Sequence, residues 1–366
     1  MTSEFDVIVV GGGVMGTSAA RWLANAGRSV LLLERFEVGH ARGSSGGPTR
    51  IFRLTYHHPD YVRMARRALD EWRALEAEAG ETLLVTTAGL DLGRAGRTSA
   101  EATRAAGVAV EYLTPAAIRE RWPALRVPED VEVFVQEDGG VCLAERTVRA
   151  QARLAAEAGA TVREHVPVER IVATGTGAEV HAEGESFRAP IVVVTAGPWA
   201  GGLLRTAGID LPLTPSLEQV TYFRLDEPAE LPTLTDWGTG PAQTPYVVPH
   251  PQDRGAFKVA LHLSGPVVDA DTRSFEPDPG REARVIDYAN ARFAPHGDDG
   301  GTETCLYTNS PDEDFVLDRR GPVVIGSPCS GHGFKFAPFL GRVLADLALA
   351  RPAPLPIERF LSVRFS

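Results

Sequence analysis

Three glycines near the amino terminus, Gly11, Gly13 and Gly16, have the G-x-G-x-x-G spacing that lets a main chain approach a phosphate closely. The β-branched run Val7–Val10 precedes them and predicts a buried strand, and a helix and a second apolar strand follow. Glu34 ends that second strand, where a carboxylate can accept hydrogen bonds from an adenosine ribose. The β-α-β unit therefore predicts a site for FAD or NAD, with the pyrophosphate at the helix amino terminus.

Three further segments combine residue types that could act on a flavin or a small anion. They are 43–53 (GSSGGPTRIFR), 246–249 (YVVP) with 257–262 (FKVALH), and 305–308 (CLYT) with 330–336 (SGHGFKF). Together with the fingerprint, they resemble the monomeric sarcosine oxidase and N-methyltryptophan oxidase family, flavoenzymes that oxidise secondary amines of amino acids. The resemblance covers essentially the whole chain, although amadoriases, pipecolate oxidases and some biosynthetic imino-acid oxidases share the last pair of motifs.

The resemblance implies a carboxylate clamp formed by Arg53 and Lys335. A guanidinium can bind a carboxylate through two parallel hydrogen bonds, and a lysine adds a point charge. A solvated surface charge is the ordinary alternative for either residue. Lys335, however, stands between two phenylalanines in a glycine-rich loop, which is a poor place for a lysine that only aids solubility.

The resemblance also assigns four residues around the flavin ring as catalytic. Lys258 matches a lysine that assists the reaction with O2, because a fixed cation stabilises the anion that the first electron transfer produces. His262 lies four residues later, so on a strand it shares the face of Lys258, and it matches a residue of the substrate pocket. Tyr246 matches a second pocket residue, and Arg50 matches a cation close to the ring. An exposed lysine, a structural histidine and a core tyrosine are the alternatives.

Cys305 matches the position that carries FAD covalently, through a thioether to the flavin 8α-methyl group. A small buried thiol is the alternative, since free cysteine is among the most buried residue types. Cys142 and Cys329 match no attachment position and are expected to be structural. Three cysteines without C-x-x-C spacing support neither a disulfide framework nor a zinc site, and no metal is expected.

Other expected cofactor contacts run through the main chain: Val168 at the adenine, the turn Ala196–Gly197 at the adenosine, and residues 331–334 at the pyrimidine edge of the flavin. The full expected cofactor set is Gly11, Gly13, Val14, Met15, Gly16, Glu34, Arg35, Gly43, Ser44, Ser45, Thr49, Arg50, Val168, Ala196, Gly197, Trp199, Cys305, Gly331, His332, Gly333, Phe334 and Lys335. One departure from the family is Gly46, which stands where a histidine near the flavin is common.

Apolar patterns elsewhere predict the elements that must position these residues. Helices are predicted over 61–79, 143–158 and 338–349, and buried strands over 191–194 and 323–326. Because buried strands return late in the chain, the nucleotide-binding domain must be assembled from separated segments. We expect an α/β protein in which a Rossmann-like FAD-binding domain is interleaved with an α+β substrate domain built on a mixed, largely antiparallel sheet. The expected segments are 1–80, 146–215 and 302–366 for the first domain, and 81–145 and 216–301 for the second.

The amino-acid composition limits the kinds of partner that the protein is expected to bind. The 366 residues include 37 Lys+Arg and 48 Asp+Glu, a formal net charge of −11, which argues against a nucleic-acid or anionic-membrane partner but leaves room for a locally cationic pocket. The start of the chain is acidic where a signal peptide would be basic, and no apolar run approaches the roughly 20 residues of a membrane span. We expect a cytoplasmic monomer that meets a small carboxylated amine and O2.

The expected activity is FAD-dependent oxidation of the C–N bond of a secondary amine or imino acid, giving an imine and H2O2. A cyclic amino acid such as proline or pipecolate as substrate, or a flavin dehydrogenase that uses a protein electron acceptor, is the alternative. The interpretation as an NAD-dependent dehydrogenase rests on the shared fingerprint alone, and such a protein would be colourless. A non-catalytic flavin-binding module would not need Arg53, Lys258 and Lys335 and would release no peroxide.

Overall fold

The computed structural model describes residues 3–239 and 244–365. The strands are β1 (Ser3–Glu4), β2 (Val7–Val10), β3 (Val30–Leu33), β4 (Thr49–Phe52), β5 (Leu84–Thr86), β6 (Gly89–Leu92), β7 (Glu111–Leu113), β8 (Val133–Gln136), β9 (Gly140–Leu143), β10 (Thr161–Arg163), β11 (Val168–Thr174), β12 (Gly177–Ala182), β13 (Glu185–Ala189), β14 (Ile191–Val194), β15 (Thr214–Leu225), β16 (Thr233–Asp236), β17 (Thr244–Pro249), β18 (Ala256–His262), β19 (His296–Asn309), β20 (Val316–Arg320) and β21 (Val323–Ser327). The α-helices are α1 (Val14–Asn25), α2 (Pro59–Ala79), α3 (Arg94–Ala105), α4 (Pro115–Arg121), α5 (Ala144–Glu157), α6 (Ala200–Thr206), α7 (Pro279–Arg292) and α8 (Ala337–Ala348). None of the helices in these ranges is long and apolar enough to cross a bilayer.

A six-stranded sheet in the order β10-β3-β2-β14-β21-β20 carries the glycine fingerprint and is parallel except for β20. Val7 and Val9 of β2 pack into a core that they share with α1, α5 and α8. Ile8 and Val10 pack on the opposite face, against the four-stranded sheet β1-β13-β12-β11. Because both faces of this sheet are covered by other elements, β2 is apolar at successive positions rather than at alternate ones. The predicted α/β class is confirmed.

An eight-stranded sheet in the order β19-β15-β18-β17-β16-β6-β8-β7 is antiparallel except at the pair β6–β16, as the predicted mixed sheet requires. Strand β18 shows which face of this sheet covers the apolar core and which face lines the cavity. Phe257, Val259 and Leu261 belong to the apolar core behind the sheet. Lys258 and His262 alternate with them and face the other way, into a cavity.

The predicted helices are confirmed, with ends that differ by one or two residues. Helix α2 begins at Pro59 rather than at residue 61, because the side chain of His58 accepts a hydrogen bond from Asp60 N and Pro59 suits the first turn. Gly80, in the left-handed conformation with φ +69°, ends it.

Three of the expected domain boundaries fall inside elements. Helix α5 runs through residues 145 and 146. Strand β15 runs through residues 215 and 216, and β19 runs through residue 302 while it pairs with β15 along its length. We therefore propose that both strands belong wholly to the substrate domain. The remaining boundaries stay predictions.

Helix α2 is tied to the loop that follows β21. Trp72 is fully buried on the apolar face of α2, and its indole N–H donates to the main-chain oxygen of Lys335 over 2.7 Å. The bond fixes the backbone at a residue that the sequence places in the substrate site.

Trp72→Phe removes this donor and leaves the Lys335 carbonyl buried without it. We expect the free energy of unfolding, measured in a denaturant titration, to fall by about 1–3 kcal/mol, the usual cost of an unsatisfied buried polar group. Trp122→Phe is the matched control, because Trp122 is also buried and its indole donates to no group in the described part of the chain. Equal losses in the two variants would contradict the role given to the hydrogen bond.

Candidate active site

A cavity of about 430 Å³ is lined from both large sheets. Its wall includes the start of α1, the loop before β4, one face of β17, β18 and β19, and the loop after β21. The predicted site residues that line it are Gly13, Val14, Met15, Ser44, Ser45, Thr49, Arg50, Arg53, Gly197, Tyr246, Lys258, His262, Cys305, Gly331, His332, Gly333, Phe334 and Lys335. The predicted residues Gly11, Gly16, Glu34, Arg35, Gly43, Val168, Ala196 and Trp199 are not part of its lining.

Two of the fingerprint glycines allow a close approach within the protein. A Cβ atom on Gly16 would lie 1.8 Å from Gly11 O, and one on Gly11 would lie 2.6 Å from Thr195 O. A side chain at Gly16 would therefore push α1 away from the end of β2, and one at Gly11 would push the end of β2 away from the residues that follow β14. This is the helix–strand packing that the spacing of the motif predicts.

Glu34 lies beside the fingerprint and is buried. Its carboxylate accepts hydrogen bonds from Gly12 N at 2.6 Å and Phe36 N at 2.8 Å, and His40 Nε2 lies 3.3 Å away. Burial raises the pKa of Glu34, but the hydrogen bonds from His40 and these main-chain groups outweigh it, so the pKa lies below its ordinary value. The group is thus a carboxylate, as an acceptor for a ribose must be.

Arg35 and Trp199 pack together outside the cavity. The Arg35 guanidinium carbon lies 5.5 Å from the Trp199 ring centre, and both side chains reach Asp271. Val168 begins β11 in the small sheet. Their expected contacts with the adenosine half of a dinucleotide stay predictions.

Arg50 organises the loop that precedes it. Its guanidinium donates to the main-chain oxygens of Ser44 (2.9 Å), Gly46 (2.6 Å) and Thr49 (2.8 Å). At Gly46 a Cβ would lie 2.5 Å from Ala41 Cα. This loop therefore has no room for a histidine at position 46.

Lys258 is buried at the base of the cavity, and its Nζ donates to Thr49 O over 2.8 Å. Burial and the nearby charge of Arg50 lower the pKa of Lys258 to about 7, while Cys305 and Glu303 act in the opposite direction. The side chain is therefore charged below about pH 7 and neutral above it.

Arg53 and Lys335 meet around the ring of Tyr56. The Arg53 guanidinium carbon lies 4.3 Å from the ring centre, and Lys335 Nζ lies 5.7 Å from it. Arg53 donates to Thr55 O over 2.8 Å and Lys335 to His332 O over 2.7 Å. Burial and the charge of Arg53 hold the pKa of Lys335 well below its ordinary value. A carboxylate between the two groups would favour the charged form of Lys335.

His262 and Tyr246 also line the cavity, from the paired strands β18 and β17. Burial, with the charges of Arg53 and Lys335, lowers the pKa of His262 to about 3, so its imidazole is neutral at neutral pH. Burial raises the pKa of Tyr246 to about 12. Both side chains can therefore offer hydrogen bonds without adding charge.

The three cysteines occupy different environments. Cys305 lines the cavity; burial raises the pKa of its thiol, while Arg50 and Lys258 partly oppose that rise. Cys329 also lines the cavity, which the sequence did not lead us to expect, and its Sγ accepts a hydrogen bond from Thr308 N at 3.3 Å. Cys142 is fully buried in β9, and burial raises the pKa of its thiol.

The family of the chain can be stated once this geometry is compared with known proteins. The family profile described as DAO, FAD dependent oxidoreductase, matches residues 6–347. The chain belongs to this family of FAD-dependent oxidoreductases.

Individual relatives of this FAD-dependent oxidoreductase agree with the resemblance drawn from its motifs. A "Probable sarcosine oxidase" of Arabidopsis thaliana is 36% identical, over 94% of this chain and 88% of the relative. A "Monomeric sarcosine oxidase" of Bacillus sp. (strain B-0618) is 32% identical, over 95% and 93%. Among solved structures NikD, described as an unusual amino acid oxidase essential for nikkomycin biosynthesis, matches with a TM-score of 0.89 and 27% identity, over 99% of this chain and 98% of NikD.

The cavity of this FAD-dependent oxidoreductase fits the cofactor of its family. Ser44 Oγ is buried, lines the cavity, and has no hydrogen-bond partner in the described part of the chain. In the first turn of α1, Val14 N donates to Ser45 Oγ over 3.1 Å, and Gly13 at the helix start has no side chain to cap the remaining free N–H groups, which suits a phosphate. Gly331 approaches the rings of Tyr307 and His262 so closely that a Cβ would lie 2.3 Å and 2.6 Å from their carbon atoms. Only a glycine leaves its main chain free to face a ligand there.

Several lining residues were not predicted from the sequence. Tyr307 follows Cys305 by two residues on β19, so strand alternation could have identified it. Trp237, which lies between β16 and β17, gave no signal of this kind. Lys258 and Lys335 did carry an overlooked signal, because they are the only lysines among the 37 Lys+Arg residues and both line the cavity.

The two lysines allow a direct measurement of their protonation. In protein labelled with ¹⁵N only at lysine, we expect two side-chain signals, with that of Lys258 titrating near pH 7 in flavin-free protein. Lys258→Met assigns the signal by removing it, and Lys335→Met is the matched control. A midpoint near the ordinary value, about 10.4, would show that burial does not destabilise the Lys258 ammonium.

Proposed function

We propose that the chain is an FAD-dependent oxidase that acts on the C–N bond of a small carboxylated secondary amine or imino acid and produces an imine and H2O2. One observation carries the proposal. Arg53 and Lys335 come from distant parts of the chain, and both line the cavity close to the ring of Tyr56. The relatives named sarcosine oxidase and amino acid oxidase support the same class of substrate.

The clamp would orient the substrate. Arg53 can present two parallel N–H groups to a carboxylate, and Lys335 adds a positive charge beside it. His262 is neutral at neutral pH, so it can exchange a hydrogen bond with the amine without repelling it. A substrate held by its carboxylate would therefore place its amine in the uncharged part of the cavity.

The cofactor would be held by the start of α1, by Ser44 and Ser45, and by the main chain at Gly331–Phe334. FAD supplies the acceptor for the hydride equivalent removed from the substrate. We propose that Cys305 attaches it through a thioether, because this thiol lines the cavity near Arg50 and Lys258, whose charges partly offset the rise in its pKa that burial causes.

Lys258 would serve the reaction with O2. When protonated, its buried ammonium stabilises the negative charge that develops on oxygen. Its pKa of about 7 predicts that this assistance weakens as the pH rises through neutrality.

The relative named monomeric sarcosine oxidase supports the proposal that this protein also acts as a monomer. A cytoplasmic location stays a prediction.

A peroxide-coupled assay across N-methyl and cyclic amino acids tests the proposed activity. We expect peroxide with at least one carboxylated amine. Arg53→Met should lower kcat/KM by at least about thirtyfold, because losing one partner of a buried charged hydrogen bond costs about 2–5 kcal/mol. Lys335→Met should act in the same direction.

Arg63→Met is the matched control, since Arg63 pairs with Asp60 at the surface of α2 and does not line the cavity. It should behave as wild type. A flavin-loaded protein that is silent with every carboxylated amine would contradict the substrate class. Substrate reduction of the flavin without peroxide would point to an electron acceptor other than O2.

Denaturation tests whether the flavin is attached covalently to Cys305. Flavin should remain with the unfolded wild-type polypeptide but separate from Cys305→Ala, as judged by absorbance after acid precipitation. Cys329→Ala is the sharpest control, because its thiol lines the same cavity. Retention of flavin by unfolded Cys305→Ala would exclude Cys305 as the attachment site.

A further inference from the structure

A buried carboxylate lies directly behind the clamp. Asp91 of β6 is 1% exposed and does not line the cavity. Its Oδ2 accepts hydrogen bonds from the hydroxyl of Thr55 and from Gln136 Nε2, the latter at 3.2 Å. Its Oδ1 accepts from the indole N–H of Trp237 at 2.8 Å and lies 3.9 Å from Arg53 Nη1. One carboxylate oxygen thus adjoins both a cavity-lining ring and the main cation of the clamp.

Arg53 is held on several sides by this arrangement. Its guanidinium carbon lies over the rings of both Tyr56 and Trp237, at 4.3 Å and 5.3 Å from their centres. Its Nη1 donates to Thr55 O over 2.8 Å. The two rings limit tilting of the guanidinium, and the carboxylate with Thr55 O limits its rotation. Arg53 donates to no other group in the described part of the chain, so its remaining N–H groups are available to a ligand.

Trp237 forms the cavity wall next to Arg53. It follows β16, which pairs in parallel with β6 so that Thr235 lies beside Asp91. Since the donated indole N–H fixes the ring edge on Asp91, the ring cannot turn away from the cavity without losing this bond. The position of the wall and the orientation of Arg53 therefore depend on the same buried oxygen.

Burying a carboxylate is costly unless its partners compensate for the loss of water. Burial raises the pKa of Asp91, while Arg53 and the hydrogen bonds from Thr55, Trp237 and Gln136 oppose that rise. In the described residues, Asp91 is the only carboxylate within 4.0 Å of a cationic nitrogen of Arg50, Arg53, Lys258 or Lys335. A group this well connected is suited to hold the clamp in place.

We propose that Asp91 is a positioning residue that holds the Arg53 guanidinium and the Trp237 ring as one unit, and so sets both the affinity for the substrate carboxylate and the size of the group accepted beside it. The inference rests on the proposed function, in which Arg53 binds that carboxylate. It adds a residue that touches neither substrate nor cofactor.

The test measures carboxylate binding in the flavin-loaded enzyme, with sodium acetate and sodium benzoate as probes and the flavin absorbance as readout. Asp91→Asn should raise the Kd for acetate about tenfold, because the new amide donor faces the donor of Gln136 and the hydrogen bonds around Arg53 rearrange. Trp237→Phe keeps a ring but loses the N–H, and should raise the Kd about threefold. The double variant should bind no more weakly than Asp91→Asn alone, because the two residues act through one interaction.

Turnover separates positioning from general damage. Both variants should raise KM several-fold while kcat stays within about threefold, and both should favour N-methylphenylalanine over N-methylglycine more than wild type does. Asp318→Asn is the matched control, since Asp318 is a half-buried carboxylate of β20 that binds Ser362 and Arg320 away from the cavity. It should leave Kd and selectivity unchanged.

The outcomes distinguish this inference from the proposed function. A wild-type enzyme that neither binds these carboxylates nor oxidises carboxylated amines would contradict the proposed function. Wild type that does both, while Asp91→Asn binds acetate unchanged or more tightly, or while the double variant shows additive losses, would overturn the role of Asp91. If Asp91→Asn does not fold, Thr55→Val removes a donor to the same carboxylate: a raised Kd supports the role, and an unchanged Kd overturns it.

Discussion

The active site depends on burying several like charges in one cavity, where Asp91 beside Arg53 is the only carboxylate close to them in the described residues. Lys258 and Lys335 donate to the main-chain oxygens of Thr49 and His332, and Arg53 donates to that of Thr55. Arg50 is held by three such oxygens. Carbonyl dipoles stabilise a cation without cancelling its charge, so the cavity keeps a positive potential inside a chain of net charge −11. A bound anion is then the partner that Arg50, Lys258 and Lys335 lack among the described residues.

This constraint explains features that would otherwise be unrelated. The carbonyls are available because the loops around residues 44–49 and 328–335 are irregular, and glycines let those loops pass close to neighbouring groups. Trp72 fixes the second loop from α2. The pKa shifts follow from the same arrangement, because burial and mutual repulsion destabilise the charged forms of Lys258, Lys335 and His262.

Much of the fold and part of the site follow from local sequence pattern. The fingerprint and the uninterrupted apolar strands identified the parallel sheet, and alternation along β18 placed Lys258 and His262 on one face. Domain boundaries inside β15 and β19 could not be read from the sequence, because strand pairing with distant segments decides where those strands end. Asp91 and Trp237 were not predicted as site residues for the same reason. Their roles arise only when β6 and β16 pair, which no local period reveals.

The most direct test of the cationic cavity compares one secondary amine in two forms under anaerobic conditions. N-methylglycine and its amide differ only in the carboxylate that the cavity is proposed to bind. Flavin bleaching should be at least a hundredfold slower with the amide at equal concentrations of the neutral amine. Equal rates for the acid and the amide would contradict the account, because they would show that the buried cations do not bind the substrate.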